Sequence, residues 1–445
     1  MNEVPIGLVG YGTVGQGVAA VLTQNRDHIA GKLNARVVLK TIVEKYPNRT
    51  FEVAPPAGAA MTDQLPALLN DKDVEIGIEL VGGTTEAKTI VEALLKSGKH
   101  VVTANKALLA HYGRELFALA RKCHRCIGFE ASCAGGIPVI ETIRRGLVAN
   151  EINAIYGIVN GTCNYILTAM VRDHKSYKQA LKEAQAAGLA EADPTLDVNG
   201  TDSAHKLAIL SSLAFAQSVD FSRILVEGID KINLADLEAA NDLGYVVKLL
   251  AIGVKQADGI SVRVHPAFIR KTDPLAWVAG SFNAVSIYGN AVGHTMFYGR
   301  GAGRMPTASA VVSDVVDIIL GNAPRTFEKL VLLPDQTPPA RIKPIEEITG
   351  RYYLRLMVAD RPGVLAQFSG IFGKHNISIS AVQQREGYDY DRKGEPIVAV
   401  IVLTHKAQEG NVRRAIDDVA RLDVAAERPI CIRVVDEPEE WAQNG

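Results

Sequence analysis

Short runs of β-branched residues alternate with amphipathic stretches along the first part of the chain. The apolar runs predict strands at 4–9, 36–43, 74–81 and 100–103. The amphipathic stretches predict helices at 17–25, 85–96 and 107–121. Strands that alternate with helices are typical of parallel βαβ units. We therefore predict one α/β domain with a parallel sheet over residues 1–134.

The pattern changes after this region to longer helices mixed with strands, among them 153–159 and 260–264. This change predicts a separate α+β catalytic and dimerisation domain over residues 135–320. A return of the chain to the first domain is expected near 299–319. Residues 321–350 contain five prolines and no clear periodicity, so they are interpreted as a linker or irregular connection.

The last part of the chain, residues 351–436, has the element order βαββαβ. Strands are predicted at 351–358, 377–385, 396–404 and 426–435, with helices at 363–375 and 410–422. This order is typical of a small ferredoxin-like domain.

Composition narrows the range of partners. The 445 residues carry a formal net charge of -1, with 22% charged and 47% apolar residues, which is ordinary globular usage. The sequence has no basic stripe for a polyanion and no apolar run of transmembrane length, so nucleic acid and membrane are not expected as partners. We expect a cytoplasmic protein, and Cys123 and Cys126, which no second pair follows, are interpreted as ordinary thiols.

A glycine-rich loop directly follows the first predicted strand and opens a helix. Its sequence is Gly10-Tyr11-Gly12-Thr13-Val14-Gly15. In this context the pattern predicts a Rossmann-type dinucleotide site, because the glycines permit a tight turn and close approach to a pyrophosphate. Glu44, at the end of the second strand, suits NAD, whereas Lys45 and Arg49 suit NADP, so both cofactors stay open with a slight preference for NADP.

Two lysines are candidates for the chemistry. Lys106 follows the strand that ends at Thr103, on the edge of the sheet where ligands bind. Lys206 lies four residues after Asp202 on a helix that is apolar on most sides. A poorly hydrated lysine can exchange a proton in an alcohol–aldehyde interconversion, and the added carboxylate of Glu191 favours an amino-acid-like substrate.

These motifs together resemble the homoserine dehydrogenase family in order and spacing. The resemblance also uses the segments 103–108, 129–138, 157–162 and 191–206, and it covers nearly the whole chain. It implies NAD(P)-dependent interconversion of L-aspartate 4-semialdehyde and L-homoserine in threonine, methionine and isoleucine biosynthesis. Lys206 would be the acid/base residue and Lys106 a second catalytic lysine, also near the cofactor with Thr103, Gly301 and Gly303.

The same resemblance implies roles for further residues. Glu191 and Asp202 would hold the substrate amino group, and the loop from Gly157 to Thr162 would shape the substrate pocket. Family members carry a monovalent cation, usually sodium, on a loop that matches Glu130, Cys133, Gly135 and Ile137. A helix start at Pro138 accounts for that segment equally well without an ion.

Residues 351–436 resemble an ACT domain, which commonly pairs across a two-fold axis and binds an amino acid. The corresponding effector residues would be Asp360, Gly363 and Asn376, with threonine as the expected effector in a homodimer or homotetramer. Two alternatives stay open: another dehydrogenase with an ACT domain, such as one acting on prephenate, and a non-catalytic sensor of dinucleotide and amino acid.

Overall fold

A computed structural model describes residues 2–384, 389–390 and 396–436. Its first sheet has six parallel strands: β1 (Asn2–Val9), β2 (Ala35–Val43), β3 (Ala60–Thr62), β4 (Ile76–Glu79), β5 (His100–Thr103) and β6 (Ile127–Gly128). The strand order is β3-β2-β1-β4-β5-β6, which is the dinucleotide-binding order. The predicted Rossmann-type domain is confirmed.

Five helices connect these strands: α1 (Thr13–Gln24), α2 (Arg26–Leu33), α3 (Leu65–Leu69), α4 (Thr85–Lys96) and α5 (Lys106–Lys122). They cover the sheet because their apolar stripes, such as Ile90, Val91, Leu94 and Leu95 of α4, are buried against it. The sequence pattern did not reveal α2, whose residues are mostly polar and exposed.

The second part of the chain contributes six strands: β7 (Ile152–Ile158), β8 (Leu225–Val226), β9 (Tyr245–Gln256), β10 (Gly259–Arg270), β11 (Phe282–Gly289) and β12 (Gly293–Arg300). Its helices are α6 (Val139–Glu141), α7 (Gly161–Arg172), α8 (Tyr177–Ala186), α9 (Thr195–Val198), α10 (Thr201–Phe215), α11 (Leu234–Asp242), α12 (Arg304–Ile319) and α13 (Asn322–Lys329). Short 3-10 or π turns lie at Glu130–Ser132, Thr142–Gly146, Phe221–Arg223, Pro274–Trp277 and Ile345–Glu347.

Helix α12 returns to the first domain, as the sequence predicted. It crosses α1 at Gly17, where a Cβ atom would lie only 2.7 Å from the carbonyl oxygen of Arg304. The absence of a side chain at Gly17 therefore allows the close packing of α12 on α1.

The segment predicted as a linker or irregular connection, 321–350, is more ordered than expected. It contains helix α13, and Phe327 and Leu333 are buried. Its later part hydrogen-bonds to the second domain, because Ala340 N donates to Ser218 O and Ser218 N donates to Pro338 O. The proline content predicted irregular backbone correctly but did not show that this backbone is packed. The domain boundaries stay predictions.

The C-terminal unit contains β13 (Thr349–Ala359), α14 (Val364–Lys374), β14 (Ile379–Gln384), β15 (Asp389–Tyr390), β16 (Pro396–Thr404), β17 (Ala407–Gln408), α15 (Glu409–Val419) and β18 (Ile430–Val435). Its four long strands have the antiparallel order β18-β13-β16-β14, so the ferredoxin-like prediction is confirmed. Arg385, the predicted end of one strand, lies outside the described residues.

The C-terminal unit continues the sheet of the second domain. The order there is β12-β11-β7-β9-β10, and β10 pairs in parallel with β18 through Ala267 and Arg433. The sequence predicted two separate domains here, and the pairing of β10 with β18 joins their strands into one sheet. No helix of the described residues is both long and apolar enough to cross a membrane.

Candidate active site

The glycine-rich loop has the backbone that its sequence predicts. Gly10 has a φ of +95°, and a Cβ atom there would lie 2.7 Å from the carbonyl oxygen of Leu80. A Cβ atom on Gly15 would lie 2.3 Å from Gly10 O, whereas nothing lies within 4 Å of the same position at Gly12. The open side at Gly12 and the N–H groups at the start of α1, at Thr13, form a suitable cradle for a pyrophosphate.

Glu44 is buried against this loop rather than free in solvent. One carboxylate oxygen accepts a hydrogen bond from Tyr11 N at 2.7 Å, and the other accepts from Tyr46 N at 3.3 Å. The Arg49 guanidinium lies 3.6 Å from the same carboxylate and donates to Tyr11 O. Lys45 is exposed beside them. The acidic and basic candidates for cofactor selection therefore all lie at one end of β2.

A buried acid that the sequence analysis missed lies under the start of α5. The Glu79 carboxylate accepts a hydrogen bond from Thr103 Oγ1 at 2.7 Å and from Val81 N at 2.8 Å. Thr103 Oγ1 in turn accepts from Asn105 N, and the Asn105 side chain caps α5 at Leu108 N. Burial raises the pKa of Glu79. Glu79 is the last residue of β4, directly before the loop. An acid at this position was the signal in the sequence that could have identified it.

The two candidate lysines share one carboxylate. Lys206 Nζ lies 2.8 Å from Asp202 Oδ2, and Lys106 Nζ lies 3.2 Å from Asp202 Oδ1. Lys206 Nζ also donates to Val159 O at 2.6 Å. Lys206 and Asp202 are each 7% exposed, whereas the Lys106 side chain is 39% exposed. Helix α10 is buried over most of its circumference, so the predicted poor hydration of Lys206 is confirmed.

Asn160 joins a second acid to this group. Its Nδ2 donates to Asp202 Oδ2 at 2.9 Å and to Asp197 Oδ1 at 2.8 Å, while its Oδ1 caps α7 at Cys163 N. The sequence analysis did not select Asn160 or Asp197 individually. We call Lys106, Asn160, Asp202 and Lys206 the lysine cluster.

Opposite charges control the ionisation of the lysine cluster. Burial raises the pKa of Asp202, but Lys206 and Lys106 outweigh this effect and hold the pKa below its usual range. Asp202 raises the pKa of Lys106 against the opposing effect of burial. Burial and the nearby charge of Asp202 raise the pKa of Asp197. Asp202 is therefore ionised, and Lys106 is a stable cation beside it.

The predicted substrate loop is shorter than expected. Gly157 lies inside β7, where it pairs with Ala251 and Val285, so it does not belong to a loop. The apolar run that ends at Ile158 forms strand β7, so the loop can begin only after Ile158. Thr162 lies in the first turn of α7, and its Oγ1 donates to Leu189 O at 2.7 Å.

Glu191 lies just beyond Leu189 in the segment between α8 and α9. Its side chain is exposed, and within the described chain it forms no ion pair with Lys106 or Lys206. Its assignment to the substrate stays a prediction.

Residues 130–137, predicted to hold a cation, form an irregular turn before α6. Both carboxylate oxygens of Glu130 cap α6, accepting from Ile140 N at 3.0 Å and Glu141 N at 2.7 Å. Among the described residues, no hydrogen bond reaches the carbonyl oxygen of Cys133 or Gly135. No group of three or more His, Cys, Asp and Glu side chains in the described ranges could hold a metal ion.

The glycines before α12 lie where the chain approaches the first domain. A Cβ atom on Gly301 would overlap the Asn283 side chain at 1.9 Å, and Gly303, with a φ of +114°, precedes the first residue of α12. Both positions require glycine for steric reasons, whether or not they contact a cofactor.

A parallel sheet with a glycine-rich phosphate cradle, together with two lysines that share one buried carboxylate, is typical of an NAD(P)-dependent oxidoreductase. Three family models match the chain: "Homoserine dehydrogenase, NAD binding domain" at residues 10–130, "Homoserine dehydrogenase" at 138–316 and "ACT domain" at 352–421. The chain belongs to the homoserine dehydrogenase family, and the resemblance stated from the sequence is confirmed.

Relatives of known name cover almost the whole chain. A homoserine dehydrogenase of Neisseria gonorrhoeae is 42% identical, covering 97% of this chain and 98% of its own. One from Pseudomonas aeruginosa is 40% identical, covering 98% and 99%. A crystal structure of a homoserine dehydrogenase from Thiobacillus denitrificans has a TM-score of 0.91 at 40% identity, covering 98% of this chain and 99% of that one. A hyperthermophilic archaeal homoserine dehydrogenase in complex with NADPH has a TM-score of 0.60 at 25% identity, covering 72% and 98%.

Proposed function

We propose that Lys206 is the acid/base residue in the interconversion of L-homoserine and L-aspartate 4-semialdehyde. The observation that carries this proposal is the single carboxylate of Asp202 between Lys206 and Lys106. When bound, the nicotinamide exchanges hydride with the carbinol carbon. In the direction of aldehyde reduction, the Lys206 ammonium gives a proton to the carbonyl oxygen, and in alcohol oxidation the same proton transfer runs in reverse, beside the Asp202 carboxylate.

Lys106 has a different role in this proposal. Because Asp202 raises its pKa, Lys106 stays positively charged in this proposal. A fixed cation next to the reacting oxygen stabilises the negative charge that develops there. Asn160 is a positioning residue, since it fixes the Asp202 carboxylate and the start of α7 at the same time.

For the substrate amino group we propose Glu191 together with Asp202. Both oxygens of Asp202 already contact cations or Asn160, so a second carboxylate is needed for a third positive charge. Glu191 is exposed and follows Leu189, which accepts the hydrogen bond of Thr162. Glu191→Gln should raise KM for homoserine with little change in kcat, whereas Glu183→Gln, on exposed α8, should change neither.

For the cofactor we propose use of both NAD and NADP. Glu44 suits the ribose hydroxyl of NAD, and Arg49 and Lys45 suit the 2′-phosphate of NADP. The archaeal relative was solved with NADPH, which supports a phosphate-tolerant site in this family.

For the cation we propose sodium at the carbonyl-rich turn of Glu130, Cys133, Gly135 and Ile137. The carbonyl oxygens of Cys133 and Gly135 that accept no hydrogen bond from the described residues fit a hard monovalent ion. A bound ion would fix this turn at the start of α6 and would take no part in proton transfer.

For regulation we propose that an amino acid, threonine in the first instance, binds near Asp360, Gly363 and Asn376 in a homodimer or homotetramer. Gly363 has a φ of +90° and precedes α14, and Asn376 has a φ of +55° after it. The exposed edge strand β14 lies beside this turn and is available for pairing.

The experiment is a spectrophotometric assay. Purified protein with L-homoserine and NAD or NADP should produce absorbance at about 340 nm as the reduced nicotinamide forms. Repetition with added threonine tests regulation. Dinucleotide and threonine binding without turnover would instead support a non-catalytic sensor, and turnover of prephenate would support the alternative dehydrogenase.

A further inference from the structure

A cavity of about 740 Å³ lies in the crease where the sheet of the second domain continues into the C-terminal unit. Its walls come from β9 and β10 on one side and from β13 and β18 on the other. This volume is in the range of small-molecule sites. Of the described residues that line it, none belongs to the lysine cluster or to the turn at Gly363.

One wall carries a positive charge without a carboxylate partner. Arg263 Nε donates to His265 Nε2 at 3.2 Å, and Nη1 donates to Ser261 Oγ at 2.5 Å. Burial lowers the pKa of His265 well below its usual range, so this imidazole is neutral. No ion pair of Arg263 is found in the part of the chain that the structure describes. An arginine stays charged even when burial lowers its pKa, so its charge needs an anion.

Glu409 and Glu227 already have other partners. Glu409 pairs with Arg433 and Arg413, and Glu227 pairs with Arg433 through two hydrogen bonds. Glu409 raises the pKa of Arg263, but among the described residues neither acid forms an ion pair with it.

The lining also carries a carboxylate without a lysine or arginine partner among the described residues, Asp273, which lies three residues beyond the end of β10. Asp273 is 8% exposed, and its Oδ1 accepts a hydrogen bond from Leu275 N at 2.7 Å. Among the residues described, Asp273 forms no ion pair with a lysine or arginine, and burial raises its pKa.

Tyr156 lines the cavity together with both charged residues, Arg263 and Asp273. Burial raises the pKa of the Tyr156 phenol, Arg263 lowers it and Asp273 raises it. A ligand in this cavity would therefore find a cation and a carboxylate in the same lining.

We propose that this cavity binds a free amino acid, with its carboxylate on Arg263 and its ammonium group on Asp273. A zwitterion neutralises both unpaired charges, whereas a phosphate would pair with Arg263 and leave Asp273 without a cation. Because both β10 and β18 form the walls, the bound amino acid would stabilise the junction between the catalytic sheet and the C-terminal unit. This site is separate from the one proposed at Gly363.

The test is the melting temperature of the full chain with each common L-amino acid, acetate or phosphate. At least one amino acid should raise the melting temperature of the natural protein by a few degrees at saturation, and acetate and phosphate should not. Arg263→Gln and Asp273→Asn should each abolish that shift. Arg172→Gln, an exposed arginine of the same domain that pairs with its neighbour Asp173, should retain it.

The variants also differ from ordinary structural mutants. Removal of one unpaired charge should leave the melting temperature without ligand unchanged or higher. This melting temperature is measured for each variant separately. A single misfolded variant then does not decide the result. If threonine still raises the melting temperature of both variants, that shift comes from binding at Gly363 or at the active site. Two results would overturn the proposal. One is that every amino acid shifts the melting temperature of the natural protein and of both variants equally. The other is that acetate or phosphate shifts the melting temperature as much as any amino acid.

Discussion

Lys206 Nζ lies 2.8 Å from Asp202 Oδ2, one turn along α10, and both side chains are almost completely buried. A buried ion pair is stabilising only when both partners are present, because either charge alone keeps the cost of desolvation. The pair therefore holds the Lys206 ammonium out of water, next to the space where substrate and dinucleotide are expected to meet.

Replacement of Lys206 tests the acid/base role. Lys206→Ala should lower kcat by about 10²- to 10⁴-fold, because it removes the group that is proposed to exchange the proton with the substrate oxygen. Dinucleotide binding, measured by fluorescence titration of the reduced cofactor, should be unchanged. Lys182→Ala on the exposed face of α8 is the matched control. A loss of less than tenfold, about 1.4 kcal/mol, would rule out the role.

Replacement of Asp202 tests the pairing itself. Asp202→Asn leaves two ammonium groups without their shared carboxylate and should destabilise the protein by about 3 kcal/mol near neutral pH, measured by urea unfolding. The folded pKa of Asp202 is lowered, so its stabilising effect is present above the unfolded value of 3.8 and is lost as the pH falls below it. The difference between the two proteins should therefore shrink in acid.

The same variant has a kinetic consequence. Asp202 raises the pKa of Lys106, so the pKa of Lys106 should be lower in Asp202→Asn. The alkaline limb of the pH–rate profile for aldehyde reduction should move to lower pH. An unmoved limb would show that Lys106 and Asp202 are not coupled during the reaction.

The sequence predicted the elements of this site better than their contacts. Local patterns were sufficient for β5, α4 and β16, which have the predicted bounds, because each is bounded by clear turn residues or begins at a proline. Lys206 and Asp202 were found because both lie on one helix, where four-residue spacing fixes their proximity.

Contacts between distant segments were not predictable in the same way. Asn160 and Asp197 lie 37 residues apart, and only the tertiary fold brings their side chains together. The continuous sheet through β10 and β18 was missed for the same reason, since strand pairing over this separation has no local signal. Gly157 lies in β7, which agrees with the strand predicted from the sequence at 153–159, so only the loop that the family resemblance implied begins too early; a substrate role for Gly157 stays a prediction.

Glu44 and Arg49 provide a test of cofactor selection. Glu44→Gln removes the negative charge that repels a 2′-phosphate but keeps an acceptor for Tyr11 N, so kcat/KM should shift toward NADP, on the order of tenfold. Arg49→Gln should shift the ratio toward NAD. Side-by-side kcat/KM values for the two cofactors measure both effects. Shifts in the same direction for the two variants would contradict opposing roles.

Lys248 should make stability depend on alkaline pH. Its ammonium is buried on β9 and, among the described residues, donates to two neutral acceptors, Asn164 Oδ1 at 3.1 Å and Val278 O at 2.5 Å; burial lowers its pKa to about 8. Between about pH 8 and the unfolded value of 10.5, the unfolded chain binds more protons than the folded one, so stability rises with pH. From about pH 7.5 to about pH 9.5 the gain should be roughly 2 kcal/mol, at about 1.4 kcal/mol per pH unit. Lys248→Met should lack this rise in urea unfolding experiments, while Lys182→Met, an exposed control, should keep it. An identical pH dependence in the natural protein and Lys248→Met would mean that Lys248 stays protonated throughout this range.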